Sequence, residues 1–333
     1  MAPRHIPFTN RTVIIIGGGS TGYELHQFFK NNPDKGYTSL GFFDDNAANV
    51  VDKNLLLGST DDCISYALTF GIEEIFCTLP DSALDRIEQL MLEADQHLIR
   101  FRLVPQLTDN SIKPAYVQYF GSIPVIAIRP DPLENRFNRF IKRLFDLIFS
   151  LFVIVFILSW LLPLLALAVK LSSEGSIFFV QLRSGKENRT FKCYKFRSMR
   201  VNAEADKKQA TPNDSRITKT GAFLRRTSLD EMPQFFNVLI GNMSVVGPRP
   251  HMITHTRQYA QLIDRFMVRH FLKPGISGWA QVNGLRGETA TTDAMLKRVE
   301  ADVWYLEHWT FWLDIKIIFL TIRNFFRPDK NAF

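Results

Sequence analysis

An uncharged stretch of 23 residues, Leu147–Val169, constrains the fold of this chain more than any other feature. A helix of about 20 apolar residues is long enough to cross a bilayer. Basic residues flank the stretch on both sides, at Arg136, Arg139, Lys142, Arg143 and Lys170. Because basic flanks favour the cytoplasm, a simple span would leave one basic flank and a whole domain outside.

Pro163 lies inside this stretch and suggests how both flanks could stay on one side. Proline cannot donate the hydrogen bond that the Ser159 carbonyl would accept, and its ring clashes with that turn. A helix broken there can bend back and leave by the side it entered. We therefore predict a re-entrant membrane hairpin over residues 139–171, with a kinked transmembrane helix as the alternative.

The N-terminal part alternates strand-like and helix-like segments, which predicts a Rossmann-like parallel sheet over residues 1–125. The apolar run Thr12–Ile16 reads as a buried strand, and Tyr23–Lys30 reads as a helix. Between them lie the three glycines of a G-x-G-x-x-G pattern, and an acid follows the next strand, which makes Gly17, Gly19, Gly22 and Asp44 candidate nucleotide-binding residues. The same residues equally fit a regulatory or empty pocket.

Residues 104–137 lack a clear period and are rich in proline, which predicts an interdomain connection with a linker at 126–138. The three cysteines, Cys63, Cys77 and Cys193, have no paired spacing and predict neither disulfides nor a zinc site.

Net charge is +7 and the pI is near 9.3, so the partner is expected to be anionic: a nucleic acid, a phosphorylated substrate or an acidic lipid. Basic residues interleave with aromatic ones after the apolar stretch. Such residues beside a membrane segment meet lipid phosphates and the bilayer interface. We therefore expect a membrane-lipid partner and no nucleic acid.

Two adjacent acids, Asp230 and Glu231, follow two arginines, and Arg249 is held between two prolines sixteen residues beyond Pro233. In isolation, the acidic pair would fit a helix N-terminus behind a Thr227 or Ser228 cap. Together with Arg249, Lys195 and a membrane segment in one chain, it favours a site for phosphate and a divalent metal.

The spaced motifs FDxxxS, KFRSM, NDxRIT, LRRTSLDEMPQ, VGPRP and PGISGWAQVNG extend over about residues 139–333. This pattern resembles the bacterial polyprenyl-phosphate sugar-1-phosphate transferases, a family of monotopic membrane enzymes. The last segment looks most like the colanic-acid-type glucose-1-phosphate transferases, which makes UDP-glucose the leading donor and UDP-galactose the reserve. The family's helix break is a Ser-Pro pair, whereas here Ser159 is followed by Trp160 and the proline comes at Pro163.

The resemblance implies a mostly α catalytic domain over 172–333 with interfacial amphipathic helices. It also implies an inner-membrane protein whose soluble domains both face the cytoplasm. Asp230 would be the nucleophile toward a UDP-sugar, releasing UMP before undecaprenyl phosphate accepts the sugar phosphate. Asp230 and Glu231 would hold Mg²⁺, while Arg225, Arg249 and Lys195 would hold phosphate. Arg216 and Asp302 are weaker candidates, and a homodimer stays open.

Two other functions stay open from the sequence. A membrane-anchored Rossmann-type oxidoreductase or nucleotide-sugar epimerase would bind NAD and keep its activity without Asp230. A non-enzymatic nucleotide-sensing scaffold for polysaccharide assembly would release no UMP.

Overall fold

A computed structural model describes residues 11–104, 117–120, 123–127, 129, 131–201, 214–285 and 291–326. The chain divides into two compact units, Met1–Pro130 and Asp131–Phe333.

The first unit contains a sheet whose described strands have the order β3-β2-β1-β4-β5-β7-β6. The strands are β1 Arg11–Ile16, β2 Tyr37–Phe43, β3 Leu56–Gly58, β4 Glu74–Cys77, β5 Arg100–Leu103, β6 Val117–Phe120 and β7 Ile123–Ala127. The helices are α1 Ser20–Asn31, α2 Cys63–Phe70 and α3 Leu84–Gln96. Strands β1 to β5 are parallel, so the predicted alternation of strand and helix is confirmed.

Strand β1 shows why the sheet is covered on both faces. Val13 and Ile15 belong to one buried cluster, whereas Ile14 and Ile16 belong to another. Successive side chains of a strand point to opposite faces. An uninterrupted apolar run is therefore a strand buried on both sides, as in a parallel sheet with helices on both faces.

The segment after residue 104, predicted as an interdomain connection, contains two strands that its sequence did not indicate. β6 and β7 form an antiparallel pair, and β7 also pairs with β5, so the sheet is mixed. Pro124 lies in β7 opposite Tyr119, beyond the residues that pair with β5. Proline is tolerated where one side of a strand is unpaired, and prolines in this segment concealed the strand pattern.

The glycine-rich turn lets β1 and α1 approach closely. Gly17 has a φ of +93°, and a Cβ atom there would lie 2.5 Å from Thr78 Oγ1. A Cβ at Gly22 would clash with the Gly17 carbonyl oxygen, whereas a Cβ at Gly19 would meet nothing within 4 Å. Packing alone therefore requires glycine at two of the three positions.

We expect Gly22→Ala to destabilise the first unit by about 1–3 kcal/mol, because the added methyl group forces α1 away from the turn. Gly19→Ala is the matched control and should change stability by less than about 0.5 kcal/mol. Amide hydrogen exchange of β1 and α1 in the full chain measures both effects. Equal acceleration of exchange in the two variants would contradict this account of the turn.

The second unit begins with a helix long and apolar enough to cross a membrane, running 37 residues from Arg136 to Ser172. It consists of α4 Arg136–Phe152, a π-helical segment Val153–Leu158, and α5 Ser159–Ser172. The helix continues through Pro163, so the irregularity comes earlier than the predicted break. π segments widen a helix locally, and Trp160 Nε1 donates to the Phe156 carbonyl at 2.9 Å. Re-entry into one side of the membrane stays a prediction.

The remainder of the second unit is mostly helical, as predicted. Strands β8 Phe178–Ser184 and β9 Thr190–Phe196 form an antiparallel hairpin, and β10 Ser244–Val246 pairs in parallel with β11 Gly275–Ser277. The helices are α6 Lys219–Arg226, α7 Gln234–Ile240, α8 Ile253–Ala260, α9 Trp279–Val282, α10 Thr292–Glu307 and α11 Phe311–Phe326.

The C-terminal aromatic residues divide between core and surface. Tyr305 and Trp309 are buried and donate hydrogen bonds to the Asp314 carboxylate. Trp312 and Phe319 of α11 are exposed, at 75% and 65%. α11 thus carries exposed apolar side chains, and its predicted place at the bilayer interface stays a prediction.

Candidate active site

The predicted acidic pair forms a buried turn between α6 and α7. Asp230 and Glu231 are 7% and 6% exposed and lie in a single 3₁₀ turn, Leu229–Glu231. Ser228 precedes it with a φ of +54°, a left-handed conformation that reverses the chain direction after α6. The Thr227 hydroxyl donates back to the Phe223 carbonyl, and Ser228 makes no side-chain cap. The helix-cap interpretation of the acidic pair is therefore not supported.

This turn lies beside the C-terminal part of the apolar helix. Leu224 of α6 is fully buried in a cluster with Leu165 and Val169 of α5, and Leu229 packs against the same cluster. Burial of these apolar side chains fixes the acidic turn against α5.

Glu231 is held by two cations that the sequence had suggested. Lys195 Nζ of β9 lies 2.7 Å from Glu231 Oε1. Arg249 donates through Nη2 to Oε1 at 2.6 Å and through Nη1 to Oε2 at 3.1 Å, a two-pronged ion pair. The Glu231 charge raises the pKa of Arg249. Glu231 is thus fixed in place and largely neutralised.

Asp230 has a different environment from its neighbour. Within the described part of the chain, its carboxylate has no hydrogen-bond or ion-pair partner. Burial, and then repulsion from Glu231, raise its pKa to about 6, against the opposing attraction of Lys195, Arg225 and Arg249. The structure therefore provides one immobilised carboxylate and one free carboxylate that faces positive charge.

Arg225 is the third predicted cation of the site. Its Nε donates to Ser198 Oγ at 2.8 Å, and burial lowers its pKa against the attraction of Asp230 and Glu231. Ser198, which orients this guanidinium, was not foreseen as a site residue, although it lies in the KFRSM motif.

A second layer of contacts holds the backbone around Arg249. Arg269 Nη2 donates to the Arg249 carbonyl at 2.7 Å and lies 2.8 Å from Asp302 Oδ2. Arg183 Nη1 donates to the Pro250 carbonyl at 3.1 Å. Asp302 therefore acts through Arg269, a residue the sequence reasoning missed. The available signal was a single arginine within the apolar run Phe266–Leu272.

Two side chains of α4, at the start of the apolar helix, form hydrogen bonds with the strand that leads to Arg249. Asp146 accepts hydrogen bonds from Ser244 Oγ at 3.0 Å and from the Val245 amide at 2.9 Å. Lys142, one turn earlier, donates to the Val246 carbonyl at 3.0 Å and to Asp314 Oδ2 at 2.7 Å. Because β10 continues directly into Gly247-Pro248-Arg249, α4 fixes the position of the arginine.

Three further polar side chains, Arg216, His251 and His270, have partners or surroundings that limit their part in the chemistry. Arg216 pairs with its near neighbour Asp214 at 2.6 Å. His251 and His270 are buried, and burial together with the charge of Arg269 lowers the pKa of both, to about 3 for His270. Both histidines are therefore neutral. The described residues contain no cluster of three or more His, Cys, Asp or Glu side chains able to hold a metal.

The acidic pair supplies the one or two carboxylates that a magnesium site in a protein needs. Mg²⁺ in proteins is commonly held by one or two carboxylates and completed by water and substrate phosphates. The free oxygens of Asp230 fit this role. Glu231 already accepts three hydrogen bonds from Lys195 and Arg249, which leaves it less free to act as a ligand.

The glycine-rich turn of the first unit lies between strand and helix, as the pattern predicted. Asp44 Oδ2 accepts from the Gly18 amide and Oδ1 from the Asn46 amide, both at 2.9 Å. Asp44 thus stabilises its own loop. Nucleotide binding by Gly17, Gly19, Gly22 and Asp44 stays a prediction.

Comparison with known proteins finds two matching families and several related transferases. The bacterial sugar transferase family matches residues 137–328, and a CoA-binding domain family matches residues 4–105. A UDP-glucose:undecaprenyl-phosphate glucose-1-phosphate transferase from Klebsiella pneumoniae is 40% identical over 99% of this chain and 70% of its own length. One from Xanthomonas campestris pv. campestris is 43% identical over 93% of this chain and 65% of its length.

An undecaprenyl-phosphate galactose phosphotransferase from Salmonella typhimurium is 31% identical over 96% of this chain and 69% of its own length. The chain belongs to the bacterial sugar transferase family. It is a transferase, and the resemblance first suggested by its motifs is confirmed.

Proposed function

We propose that this protein transfers a sugar-1-phosphate, glucose-1-phosphate first among the candidates, from a UDP-sugar to undecaprenyl phosphate and releases UMP. This would be the first membrane step of exopolysaccharide or capsule assembly. The observation that carries the proposal is the unequal acidic pair: Asp230 is free, while Glu231 is held by Lys195 and Arg249. The relatives named above supply the donor and acceptor classes.

In the first half-reaction, a carboxylate oxygen of Asp230 attacks the β-phosphorus of the UDP-sugar. The bond from that phosphorus to the bridging oxygen breaks, and UMP leaves with the electron pair. Arg225 and Arg249 bind phosphate oxygens during this step, because guanidinium groups match their geometry. The product is a phospho-sugar joined covalently to Asp230.

In the second half-reaction, an oxygen of undecaprenyl phosphate attacks the same phosphorus, and the bond to Asp230 breaks. The lipid-linked sugar leaves and the carboxylate is restored. Dividing the transfer into two steps requires only one partner to be positioned for attack at a time. The position of the acidic turn against the apolar helix suits a lipid acceptor and a soluble donor that meet at the cytoplasmic membrane surface.

Asp230 and Glu231 would hold Mg²⁺ together with donor phosphate oxygens. When bound, the ion supplies positive charge that offsets the charge developing on the leaving phosphate. Lys195 keeps Glu231 oriented, and water is excluded by the burial of the turn.

The raised pKa of Asp230 gives the reaction a definite pH dependence. Because attack requires the carboxylate, formation of the phospho-sugar enzyme should rise about tenfold per pH unit below pH 6 and level off above about pH 7. A cation beside the carboxylate favours its charged form, so higher Mg²⁺ should move this profile to lower pH. Single-turnover UMP release across pH 5 to 8 measures both effects, and a flat profile would contradict them.

One donor panel tests the function as a whole. Membranes containing the full chain are incubated with Mg²⁺, undecaprenyl phosphate and either UDP-glucose, UDP-galactose or UDP-N-acetylgalactosamine, and UMP is quantified. UMP release with one UDP-hexose supports the transferase and identifies the sugar. Oxidation of the donor with bound NAD would support the oxidoreductase instead, whereas absence of turnover with all donors would favour the nucleotide-sensing scaffold.

A further inference from the structure

A second cationic centre lies where the apolar helix ends. Arg197 follows β9 and is 7% exposed. Its Nη2 donates to the Ser173 carbonyl at 2.6 Å, but its Nε and Nη1 are buried without any hydrogen-bond partner. The Ser173 hydroxyl is also buried and unpartnered. Two neighbouring side chains thus present hydrogen-bond donors with nothing to receive them.

A buried guanidinium without an anion is energetically costly, since it has lost water and gained no opposite charge. Among the described residues, no carboxylate pairs with Arg197. Glu174 follows Ser173 directly, yet it is exposed and forms no described ion pair. The missing partner is therefore an anion from outside the described chain.

The route to Arg197 from the surface is short. Gly175 is exposed and has a φ of +116°, and a Cβ atom there would lie 2.5 Å from Arg197 Nη1. Val201 lies over the same point, because its Cγ2 would be 2.8 Å from that Cβ, and Val201 is itself 74% exposed. The unpaired nitrogen is itself buried but lies directly beneath exposed residues, and the absence of a side chain at Gly175 leaves it uncovered by a Cβ atom at that position.

The position of this centre indicates the chemistry of the anion. Ser173 comes directly after α5, and Lys170 Nζ reaches the Gly175 carbonyl at 3.4 Å. Cations at the end of a membrane helix meet lipid phosphates. An arginine presents donors in a fork that fits two oxygens of one phosphate.

We infer that Arg197, with Ser173 and Lys170, binds the phosphate group of a lipid at the end of the apolar helix. Two lipids carry this chemistry: the acceptor undecaprenyl phosphate and a bilayer phospholipid. The acceptor alternative rests on the proposed function. It is favoured because the next residue, Ser198, accepts a hydrogen bond from Arg225 of the candidate active site, so the two centres are joined through neighbouring residues of the chain.

The binding test uses the purified full chain and three probes: inorganic phosphate, citronellyl phosphate and dihexanoyl phosphatidylglycerol. Arg197→Gln should weaken binding of at least one lipid probe about tenfold or more, because a charge-assisted hydrogen bond is lost. Arg226→Gln is the matched control, since Arg226 is exposed and has no hydrogen bond or ion pair among the described residues. Equal affinity of wild type and Arg197→Gln for every probe, or an equal loss in Arg226→Gln, would overturn the inference.

Arg197→Lys serves if the glutamine variant does not fold, as judged by circular dichroism and elution volume. It keeps the charge but loses the fork, so a several-fold weaker affinity is expected. Wild-type affinity in that variant would count against the site.

Kinetics separate the two lipid sources. If the site holds the acceptor, Arg197→Gln raises the KM for undecaprenyl phosphate about tenfold and leaves the KM for the UDP-sugar and covalent labelling of Asp230 unchanged. If it holds a phospholipid, phosphatidylglycerol binding falls while both KM values stay the same. If the wild type turns over no UDP-sugar, the proposed function fails, and the binding result still decides the site.

Discussion

Asp230→Asn should abolish formation of the covalent phospho-sugar and lower UMP release by roughly three orders of magnitude or more, as expected when a nucleophile is removed. The amide has nearly the same shape but cannot attack phosphorus. Because Asp230 makes no described hydrogen bond, the substitution breaks none. The measurement is UMP release together with trapping of radiolabel from UDP-glucose labelled in the sugar.

The stability of this variant provides an independent check. The folded-state pKa of Asp230 is raised above its ordinary value of 3.8, so the native state binds the proton more tightly than the unfolded state. The free energy of unfolding of the wild type should therefore fall as the pH rises from about 4 to about 7. Asp230→Asn should lack this decline and be at least as stable as the wild type at pH 8.

Glu231→Gln is the informative comparison. Removing the Glu231 charge leaves Lys195 and Arg249 without their shared partner, so this variant should lose stability as well as activity. Equal UMP release by Asp230→Asn and the wild type would show that Asp230 is not the nucleophile. Equal losses of stability in both variants would contradict the unequal roles of the two acids.

Arg249→Lys should reduce kcat/KM for the UDP-sugar by about a hundredfold, although the charge is conserved. Arg249 contacts both oxygens of Glu231, and a single ammonium group cannot reproduce that fork. Loss of the fork loosens Glu231 and removes one of the donors for phosphate oxygens.

Arg226→Lys is the control for this substitution, since Arg226 is exposed and has no hydrogen bond or ion pair among the described residues. Steady-state kinetics with varied UDP-glucose at saturating undecaprenyl phosphate measure both variants. A change of less than twofold in Arg249→Lys would mean that only positive charge is needed at this position.

The residues of the proposed site were accessible from the sequence because each lies in a short motif with its own signature. Asp230, Glu231, Arg225, Arg249 and Lys195 were all predicted, and the structure brings them together around one turn. The difference between the two acids was predicted only from the resemblance. It follows here from contacts with residues 18 and 36 positions away, which no local pattern reveals.

The residues that support the site show more clearly what the sequence could not predict. Arg269 and Ser198 orient two of the site arginines through contacts across 20 and 27 positions of the chain. In the sequence, Lys142 and Asp146 are simply charged residues at the start of an apolar helix. In the structure they form hydrogen bonds with β10, about 100 residues further on. Similarly, the β6–β7 hairpin depends on pairing with β5, and prolines hid it from local analysis.

The sequence by itself determined the long apolar helix, the alternating strands and helices of the first unit, and the identity of the residues around the acidic turn. Composition and spacing suffice for these, because helix length, strand burial and turn chemistry depend on neighbouring residues. Only the tertiary structure decided that the helix continues through Pro163 and that Asp230 is free while Glu231 is held. It also revealed that Nε and Nη1 of Arg197 are buried without a hydrogen-bond partner among the described residues, since hydrogen bonding and burial of a side chain depend on residues distant in the chain.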